Sequence, residues 1–311
     1  MRTAVIGAGA WGKNIVRTLN EMGVLEAVVE MNPTLRSNLA EAYPDVTFYD
    51  DIQSIIDSDI PAVLIAIPAP THYKVAKAFL EAGKDVFVEK PMTLSVEESE
   101  ELVRIAQEND KILMVGHLLL YQPAVKWIHN AIHSGLIGQL RNIHQKRLGL
   151  GRARDVENVL WSLGVHDVAV ALYLVGIAPE KIEANGQRIL QPSTEDDIYL
   201  HMTFTGGIHT HLHCSWLWPE RERGLVVVGT DGMLVYNELE QTVTLHRKSI
   251  GSDLKNIDNG SETVYEGSGE PLKLEMSHFL ECVTNRSKPI SDGTSGVEVI
   301  RVLQTASKGL Q

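Results

Sequence analysis

A glycine-rich turn close to the start of the sequence most constrains what this chain can fold into. An apolar, strand-like run at 3–6 and a helical pattern at 11–22 flank this turn, which reads Gly7-Ala8-Gly9-Ala10-Trp11-Gly12. In such a turn the first glycine allows the tight bend, the second lets the backbone approach a pyrophosphate, and the third lets the helix lie close to the strand. The helix N-terminus adds free N–H groups and partial positive charge. The pattern therefore predicts a dinucleotide-binding unit.

A carboxylate stands where such a unit needs one. A second strand-like run, 25–29, ends at Glu30, about 20 residues after the turn, where an acid accepts a hydrogen bond from a ribose 2′-hydroxyl and repels a 2′-phosphate. Met31 and Asn32 supply no arginine for that phosphate. We therefore expect NAD rather than NADP as the cofactor. The cofactor-binding residues predicted from these patterns are Gly7, Gly9, Ala10, Trp11, Gly12 and Glu30.

Residues 1–118 alternate strand-like runs with helical patterns. The predicted strands are 3–6, 25–29, 62–66, 85–88 and 111–115. The predicted helices are 11–22, 33–42, 70–82 and 95–109. This alternation indicates an α/β fold with a doubly wound parallel sheet that is covered by helices on both faces.

The pattern changes after Gly116. The predicted helices of this half are 123–133, 158–174, 271–285 and 293–309. The predicted strands are 140–148, 181–190, 197–204, 208–216, 224–229, 232–236 and 241–246. Turn signals such as Thr205-Gly206-Gly207 join antiparallel neighbours. Residues 250–270 are rich in Gly, Ser, Asp and Asn, and we interpret them as a mobile loop. We expect 119–311 to form an α+β domain with a mainly antiparallel open sheet.

Composition excludes several classes of function. The chain has 311 residues, enough for two domains, and its 40 acidic against 28 basic residues give a net charge of −12. This charge argues against general affinity for nucleic acid or anionic membranes. Cys214 and Cys282 are too few for a disulfide framework or a cysteine metal site. Without a run long enough to span a membrane, and with the glycine-rich turn where a signal peptide would lie, we expect a cytoplasmic protein.

Three histidines alternate along one predicted strand. His209, His211 and His213 face the same way, and neighbouring members of the row are about 6.8 Å apart. That spacing does not allow three ligands to reach one metal ion at about 2 Å without distortion. We therefore predict no metal site and interpret the row as part of a subunit interface or a solvent-facing surface.

Several motifs outside the turn resemble a known family. They are Ala66-Ile67-Pro68-Ala69-Pro70-Thr71-His72, Glu89-Lys90-Pro91, Gly116-His117, Phe279-Leu280-Glu281-Cys282 and Lys288-Pro289-Ile290. Together they resemble the Gfo/Idh/MocA family of nicotinamide-dependent sugar oxidoreductases over nearly the whole chain. Segments that resemble the family's nucleotide-sugar 3-dehydrogenase branch are Gly149-Leu150-Gly151-Arg152, Asn158-Val159-Leu160-Trp161, Val165-His166-Asp167 and Ser215-Trp216-Leu217. The resemblance implies a Rossmann domain at 1–118 and, at 119–311, a domain for substrate binding and for homodimer or homotetramer contacts through its sheet.

The resemblance also implies site residues. Lys90 would stabilise the alkoxide or share the proton transfer, and His166 would be its catalytic partner. Many relatives carry aspartate at the place of Ser162, so this chain departs from their Asp–His arrangement. The further cofactor-binding residues are Pro68, His72, Glu89 and Lys90. The substrate-binding residues are His117, Tyr121, Arg147, Arg152, Arg154, Ser162 and His166. The alternatives are a surface lysine at 90, a core histidine at 166 and a solvated basic loop near 152.

The function expected from this resemblance is hydride transfer between C3 of a nucleotide sugar, similar to UDP-N-acetylglucosamine, and nicotinamide. Such a reaction belongs to the synthesis of surface polysaccharide or lipid A sugars. Guanidinium groups suit the diphosphate of such a substrate. The alternatives are a dehydrogenase of a free polyol or sugar, an NAD-dependent glycosidase that oxidises C3 transiently, and a cofactor-binding regulator.

Overall fold

A computed structural model describes residues 1–151, 153–267 and 269–310 and divides the chain into two compact units. The first unit comprises Met1–Leu118 and Glu270–Ile300, and the second comprises Leu119–Gly269 and Arg301–Gln311. The division after Leu118 matches the sequence-based division. However, the sequence analysis assigned all of 119–311 to one domain, whereas Glu270–Ile300 belongs to the first unit.

The first unit contains a six-stranded parallel sheet. Its strands are β1 (Thr3–Ile6), β2 (Leu25–Val29), β3 (Thr47–Tyr49), β4 (Ala62–Ile65), β5 (Asp85–Glu89) and β6 (Leu113–Gly116). The helices between them are α1 (Gly12–Glu21), α2 (Pro33–Ala42), α3 (Gln53–Ile56), α4 (His72–Glu81) and α5 (Val96–Glu108). The strand order is β3-β2-β1-β4-β5-β6. The predicted doubly wound α/β sheet is confirmed, and the short strand β3 is an addition to it.

Burial and capping explain why these segments form. Every residue of β1, β4, β5 and β6 is buried, as expected for strands covered on both faces. The Asn32 side chain accepts a hydrogen bond from the Leu35 N–H at 3.0 Å, and Ser95 does the same for Glu98 at 3.2 Å. Both are N-cap interactions that satisfy otherwise unpaired donors at the start of α2 and α5.

The second unit contains an eight-stranded, mostly antiparallel sheet. Its strands are β7 (Leu140–Leu148), β8 (Lys181–Gln187), β9 (Asp197–Phe204), β10 (Ile208–Ser215), β11 (Glu222–Gly229), β12 (Met233–Asn237), β13 (Thr242–Ile250) and β14 (Asn256–Glu266). The remaining helices of the chain are α6 (Pro123–His133), α7 (Val165–Val175), α8 (Pro271–Asn285) and α9 (Gly293–Gly309). The strand order is β14-β13-β12-β11-β7-β10-β9-β8. Among the described strands of this sheet, only the pair β7–β10 is parallel. The predicted sheet is confirmed.

One local expectation for the second unit was wrong, and one predicted helix begins in an unexpected form. Most of the segment interpreted as a mobile loop, 250–270, forms β14, which pairs with β13. Its side chains are polar and mostly exposed, so no hydrophobic alternation marks it. The helix predicted at 158–174 is confirmed, but its first part, Leu160–Gly164, is a π-helical turn that continues as α7. A Cβ atom at Gly164 would lie 2.7 Å from Leu160 and 3.3 Å from Cys214 on β10, so glycine allows this turn to pack against the sheet.

One face of this sheet is apolar and buried, and the opposite face is polar. In β9 the buried residues Ile198, Leu200 and Met202 alternate with exposed Tyr199 and His201. The polar face carries a histidine cluster that consists of His144, His201, His209, His211 and His213. The Nδ1 atoms of His201 and His211 are 2.6 Å apart and share a hydrogen bond.

The part of the chain that the structure describes contains neither a metal-binding cluster nor a membrane-spanning helix. Within the described ranges, no group of three or more His, Cys, Asp or Glu side chains could hold a metal ion. In the same ranges, no helix combines the length and the apolar character that crossing a membrane requires.

Candidate functional site

The loops that carry the predicted cofactor-binding residues lie at the carboxyl edge of the six-stranded sheet of the first unit. The turn after β1 shows why each glycine is there. Gly7 has φ +89°, and a Cβ atom on it would lie 2.6 Å from Ile67. A Cβ atom on Gly12 would lie 2.1 Å from the Gly7 carbonyl oxygen, so α1 could not approach the turn. Gly9 has no atom within 4 Å of that position, which leaves open space above its backbone. This geometry matches a pyrophosphate-binding turn.

Glu30 lies at the end of the neighbouring strand and contacts this turn. Its carboxylate accepts hydrogen bonds from the Ala8 N–H and the Asn32 N–H, both at 2.9 Å. Sequence reasoning missed Arg36, which donates to the Glu30 carbonyl oxygen at 2.7 Å and lies 3.6 Å from the Asp50 carboxylate. Arg36 lies in the first turn of α2, and this helix begins three residues after Glu30. The first turn of the helix therefore brings the Arg36 side chain back to Glu30.

Glu89 and Lys90 follow the same edge at the end of β5. The Trp11 indole N–H donates to one Glu89 carboxylate oxygen at 2.5 Å, and the Lys90 backbone N–H donates to the other at 3.2 Å. Burial raises the pKa of Glu89 to about 7, against the effect of these donors and of the Lys90 charge. Lys90 itself is half-buried. The pair Trp11 and Glu89 thus joins the glycine-rich turn to the loop that carries Lys90.

His72 holds two of these loops together. Its Nδ1 atom lies 2.8 Å from the Pro91 carbonyl oxygen, and its Nε2 atom lies 2.8 Å from the Ile67 carbonyl oxygen. Burial, which outweighs these hydrogen bonds, lowers the pKa of His72. A neutral ring donates to one of the two carbonyls at a time. The ring is buried, whereas Pro68 between the loops is exposed. His72 therefore supports the cofactor-binding loops, and direct contact of His72 or Pro68 with the cofactor stays a prediction.

His117 follows β6 at the same edge. Its ring is buried, and in the described part of the chain neither ring nitrogen has a hydrogen-bond partner. Burial, together with the charge of Lys90, lowers the pKa of His117 to about 3, so the ring is neutral at physiological pH. A neutral imidazole offers one donor and one acceptor to a ligand. Tyr121, predicted beside it in sequence, is fully buried in the second unit, with the Lys126 ammonium 5.3 Å from its ring centre.

The second unit contains His166 and Ser162. Ser162 is buried within the π-helical turn, and His166 is half-buried in the first turn of α7. Because the turn is wider than an α-helix, the spacing of four residues does not by itself place these two side chains on one face. The next residue, Asp167, is buried in an ion pair.

The structure argues against a phosphate contact for Arg147. Its buried guanidinium forms ion pairs with Asp167 and, at 2.8 Å, with Glu238. Burial opposes its charge, but the two carboxylates outweigh burial and raise the pKa of Arg147. Successive side chains of a strand point to opposite faces of the sheet, and Arg147 lies on the buried face of β7. Its charge alone gave no indication of this orientation. Of the other predicted phosphate ligands, Arg154 is exposed and pairs with Glu157 at 3.3 Å, and Arg152 lies outside the described residues.

Sequence reasoning also missed Arg223 on β11 and Arg221, which lies just before this strand. This strand pairs antiparallel with β7, and Arg223 lies opposite Arg147. Arg223 donates to the Leu148 and Glu222 carbonyl oxygens, the latter at 2.8 Å. Arg221 is exposed, and its Cα atom lies 3.6 Å from the Cβ position of Gly149. Gly149 is the first residue of the basic loop, 149–154. The register of two distant strands created this basic edge, so no local sequence signal could have indicated it.

Comparisons with known proteins agree with this geometry. Residues 1–117 match the family model described as an oxidoreductase family with an NAD-binding Rossmann fold, Gfo/Idh/MocA. Residues 125–235 match the model of the Gfo/Idh/MocA C-terminal domain. The chain belongs to the Gfo/Idh/MocA family. As a member of this family it is an oxidoreductase, and its cofactor is NAD.

Individual relatives are distant but extend along the whole chain. A UDP-N-acetylglucosamine 3-dehydrogenase from Acidithiobacillus ferrooxidans is 26% identical, over 96% of this chain and 94% of that protein. A scyllo-inositol 2-dehydrogenase (NAD⁺) from Bacillus subtilis is also 26% identical, over 96% and 92%. The solved structure of the first enzyme aligns with a TM-score of 0.88 at 24% identity, over 100% of this chain and 97% of that one.

The Gfo/Idh/MocA residues on the carboxyl edge fit NAD. The open backbone above Gly9 and the N-terminus of α1 provide the cradle for the pyrophosphate, and the Glu30 carboxylate lies beside the turn to receive a ribose hydroxyl. Bound NAD supplies the acceptor for a hydride. The residues of the turn and Glu30 would hold and orient it, and Lys90 would provide a positive charge close to the same edge.

Proposed function

We propose that this protein is an NAD-dependent dehydrogenase that oxidises the C3 hydroxyl of a nucleotide sugar similar to UDP-N-acetylglucosamine. The observation that carries this proposal is the match to UDP-N-acetylglucosamine 3-dehydrogenase over 96% of the chain. The basic edge formed by Arg221 and the loop with Arg154 supports it, because exposed guanidinium groups can bind the phosphate oxygens of such a substrate. A protein whose net charge is −12 needs such a local positive charge to bind an anionic ligand.

Two residues carry the proposed proton chemistry. The Lys90 ammonium stabilises the oxygen that becomes negative as the hydroxyl loses its proton. The His166 imidazole accepts that proton. Ser162 has no carboxylate and cannot replace His166 as the base. His117 is a proposed contact for a sugar hydroxyl, because its buried neutral ring offers a donor and an acceptor.

A substrate screen tests the proposal. Purified protein is mixed with NAD and with UDP-, GDP- or dTDP-sugars, and NADH formation and the thermal unfolding midpoint are recorded. We expect NADH to form with a UDP-N-acetylhexosamine. We also expect this nucleotide sugar to raise the unfolding midpoint above the value measured with NAD alone. Turnover of inositol with no response to any nucleotide sugar would favour the second candidate, a polyol dehydrogenase. The 26% identity to scyllo-inositol 2-dehydrogenase supports this candidate, but a polyol has no diphosphate for the basic edge to bind. Glycosidic bond cleavage without net NADH would indicate the glycosidase reaction.

Substitutions test the catalytic residues. Lys90→Met and His166→Ala should each reduce kcat by about 10²–10⁴, because each removes a group that acts on the leaving proton or on the negative oxygen. NAD affinity should change little in His166→Ala, because His166 is not among the predicted cofactor-binding residues. Ser162→Ala should be mild, and Ser162→Asp should be tolerated. If His166→Ala keeps near-wild-type turnover, the histidine is structural.

Arginine substitutions test the binding of the diphosphate. Loss of one hydrogen bond to a charged group costs about 1.5–3 kcal/mol, so Arg152→Ala, Arg154→Ala or Arg221→Ala should weaken nucleotide-sugar binding about tenfold or more. Calorimetry should show unchanged NAD affinity in each. The exposed arginine Arg141 on the same sheet provides a matched control. Equal affinities in all four variants would mean that the basic edge is only solvated.

A further inference from the structure

Trp11 stands between the glycine-rich turn and helix α1. It is the N-cap residue of α1, and its carbonyl oxygen accepts a hydrogen bond from the Asn14 N–H at 2.8 Å. A pyrophosphate bound by this turn would lie at the same end of the helix. The Trp11 side chain is 41% exposed. The glycines account for the bend of the turn, so the large side chain at this place has a different role.

The indole N–H of Trp11 has a partner at the end of another strand. It donates to a carboxylate oxygen of Glu89 at 2.5 Å, across 78 residues of sequence. The Glu89 carboxyl is buried and lies over Gly116 of the neighbouring strand β6, where a Cβ atom would be 3.0 Å from the carboxyl carbon. Hydrogen bonds to an ionised acceptor are shorter and stronger than neutral ones. The indole therefore holds this carboxyl in a place with little room for another position.

Glu89 extends this contact to Lys90. Its other carboxylate oxygen accepts a hydrogen bond from the Lys90 backbone N–H at 3.2 Å. One carboxyl group thus bridges Trp11, at the start of α1, and the backbone of Lys90, just after β5.

Charged and titratable groups on three sides act on this carboxyl or lie beside it. Burial raises the pKa of Glu89 to about 7, whereas the Trp11 N–H and the Lys90 charge act in the opposite direction. Glu275 on α8 also interacts electrostatically with Glu89; burial first, and then the Glu89 charge, raise its pKa well above its usual range. His117, which follows β6, has its pKa lowered to about 3 and is neutral at physiological pH.

We propose that Trp11 is a positioning residue: its indole N–H holds the Glu89 carboxylate, which holds the Lys90 backbone, so that a ligand bound at the glycine-rich turn also fixes Lys90. Direct contact of Trp11 with the cofactor needs only the ring, whereas this role needs the N–H. The action of Lys90 on a substrate hydroxyl rests on the proposed function, but the link from Trp11 to Lys90 does not.

ADP-ribose tests this link, because it carries the pyrophosphate and both riboses of NAD but no nicotinamide. In protein with isotope-labelled lysine, the backbone amide signal of Lys90 in the NMR spectrum is identified by its loss in Lys90→Met. We expect ADP-ribose to shift this signal in wild type. The shift should be lost in Trp11→Met and retained in Trp11→Gln, because glutamine places an N–H donor the same number of bonds from Cα as tryptophan does, and methionine places none.

The pH dependence of the same signal separates positioning from packing. In cofactor-free wild type it should follow the ionisation of Glu89, with a midpoint at pH about 7. The indole donor favours the ionised carboxyl, so Trp11→Phe and Trp11→Met should raise this midpoint by about one pH unit, the effect of losing one hydrogen bond to a charged group. Trp11→Gln should return the midpoint towards the wild-type value. A merely structural role of the ring would leave the midpoint unchanged in all three variants.

Trp218→Phe is the matched control. The Trp218 indole N–H also donates to a carboxylate, that of Glu222 at 2.8 Å, but this pair lies in the second unit. The variant should keep both the ADP-ribose response and the midpoint of wild type. In wild type alone, the indole N–H signal of Trp11 should titrate with the same midpoint as the Lys90 amide, which covers the case in which a Trp11 variant does not fold. The Trp218 partner titrates at lower pH, because the Trp218 and Lys146 donors lower the pKa of Glu222.

Two results would overturn the proposal. One is an equal ADP-ribose response of Lys90 in Trp11→Met and Trp11→Gln. The other is a wild type that binds ADP-ribose with no change at the Lys90 amide, or whose Trp11 indole signal does not titrate with that amide. These measurements need no sugar, so failure of every nucleotide sugar to react would refute the proposed function and leave this inference standing.

Discussion

At the scale of single residues, we expect Glu30 to determine the choice between NAD and NADP. Its carboxylate is anchored by the Ala8 and Asn32 N–H groups and lies beside the glycine-rich turn, where a 2′-phosphate would meet its negative charge. We expect NAD to bind at least about tenfold more tightly than NADP, a difference of about 1.4 kcal/mol. Glu30→Ala should reduce this ratio. Titration of both cofactors into cofactor-free protein measures it, and equal affinities in wild type would refute the assignment.

His117 makes stability depend on pH in the acid range. Its pKa in the folded protein is about 3, below the ordinary value of about 6.5, so the unfolded chain binds more protons between these values. Stability therefore rises with pH up to about 6.5 and is lost as pH falls, with a slope of up to about 1.4 kcal/mol per pH unit. His117→Gln should flatten this slope in urea unfolding between pH 5 and 6.5. The exposed His133→Gln is the control. An unchanged slope in His117→Gln would mean that the ring is solvated.

Single residues also show where sequence reasoning reaches its limit. Glu30 and the glycines of the turn could be predicted because their roles depend on local spacing along one strand–turn–helix unit. Arg147 could not, because the same positive charge binds phosphate when it is exposed and an internal carboxylate when it is buried.

At the scale of elements, a buried ion-pair cluster joins β7, α7 and the turn between β12 and β13. Arg147 contributes one guanidinium to Asp167 and Glu238. Arg147→Met leaves both carboxylates without this partner in a buried place, which should cost about 3–5 kcal/mol. Lys146→Met is a close control, because the side chain of Lys146 points to the exposed face of the same strand and should change stability by at most about 0.5 kcal/mol. Urea unfolding of both variants compares them, and equal losses would mean that the cluster contributes no special stability.

Elements differ in how well their sequence predicts them. The strands of the first sheet are short apolar runs between helices, so the alternation of β and α was sufficient. Strand β14 was missed because it is mostly polar and exposed, and its hydrogen bonds to β13 hold it rather than burial. The π-helical turn before α7 was missed because its residues have ordinary helical character, and the space that Gly164 leaves against β10 becomes visible only in three dimensions.

At the scale of the whole molecule, we propose that copies of the chain associate through the polar face of the eight-stranded sheet. Tyr199 is 46% exposed there and stacks on His213 with ring centroids 3.9 Å apart. This face is rich in imidazole rings and carries an exposed aromatic side chain. Burial, followed by the neighbouring histidines, lowers the pKa of His211. In a symmetric dimer the same patch meets itself, so each side chain on it occurs twice in the interface.

This symmetry makes a single added charge a strong test. Tyr199→Lys would bring two ammonium groups into one interface, beside histidines and Lys146 on the same face, and like charges in an interface cost several kcal/mol. We expect wild type to sediment as a dimer or tetramer at micromolar concentration and Tyr199→Lys to shift towards the monomer. Thr47→Lys adds the same charge at an exposed position on the edge strand β3 of the other sheet and should leave assembly unchanged. A monomeric wild type would contradict the proposal. So would a Tyr199→Lys variant that assembles like wild type, because two ammonium groups at the centre of a symmetric interface could not both remain in contact with solvent.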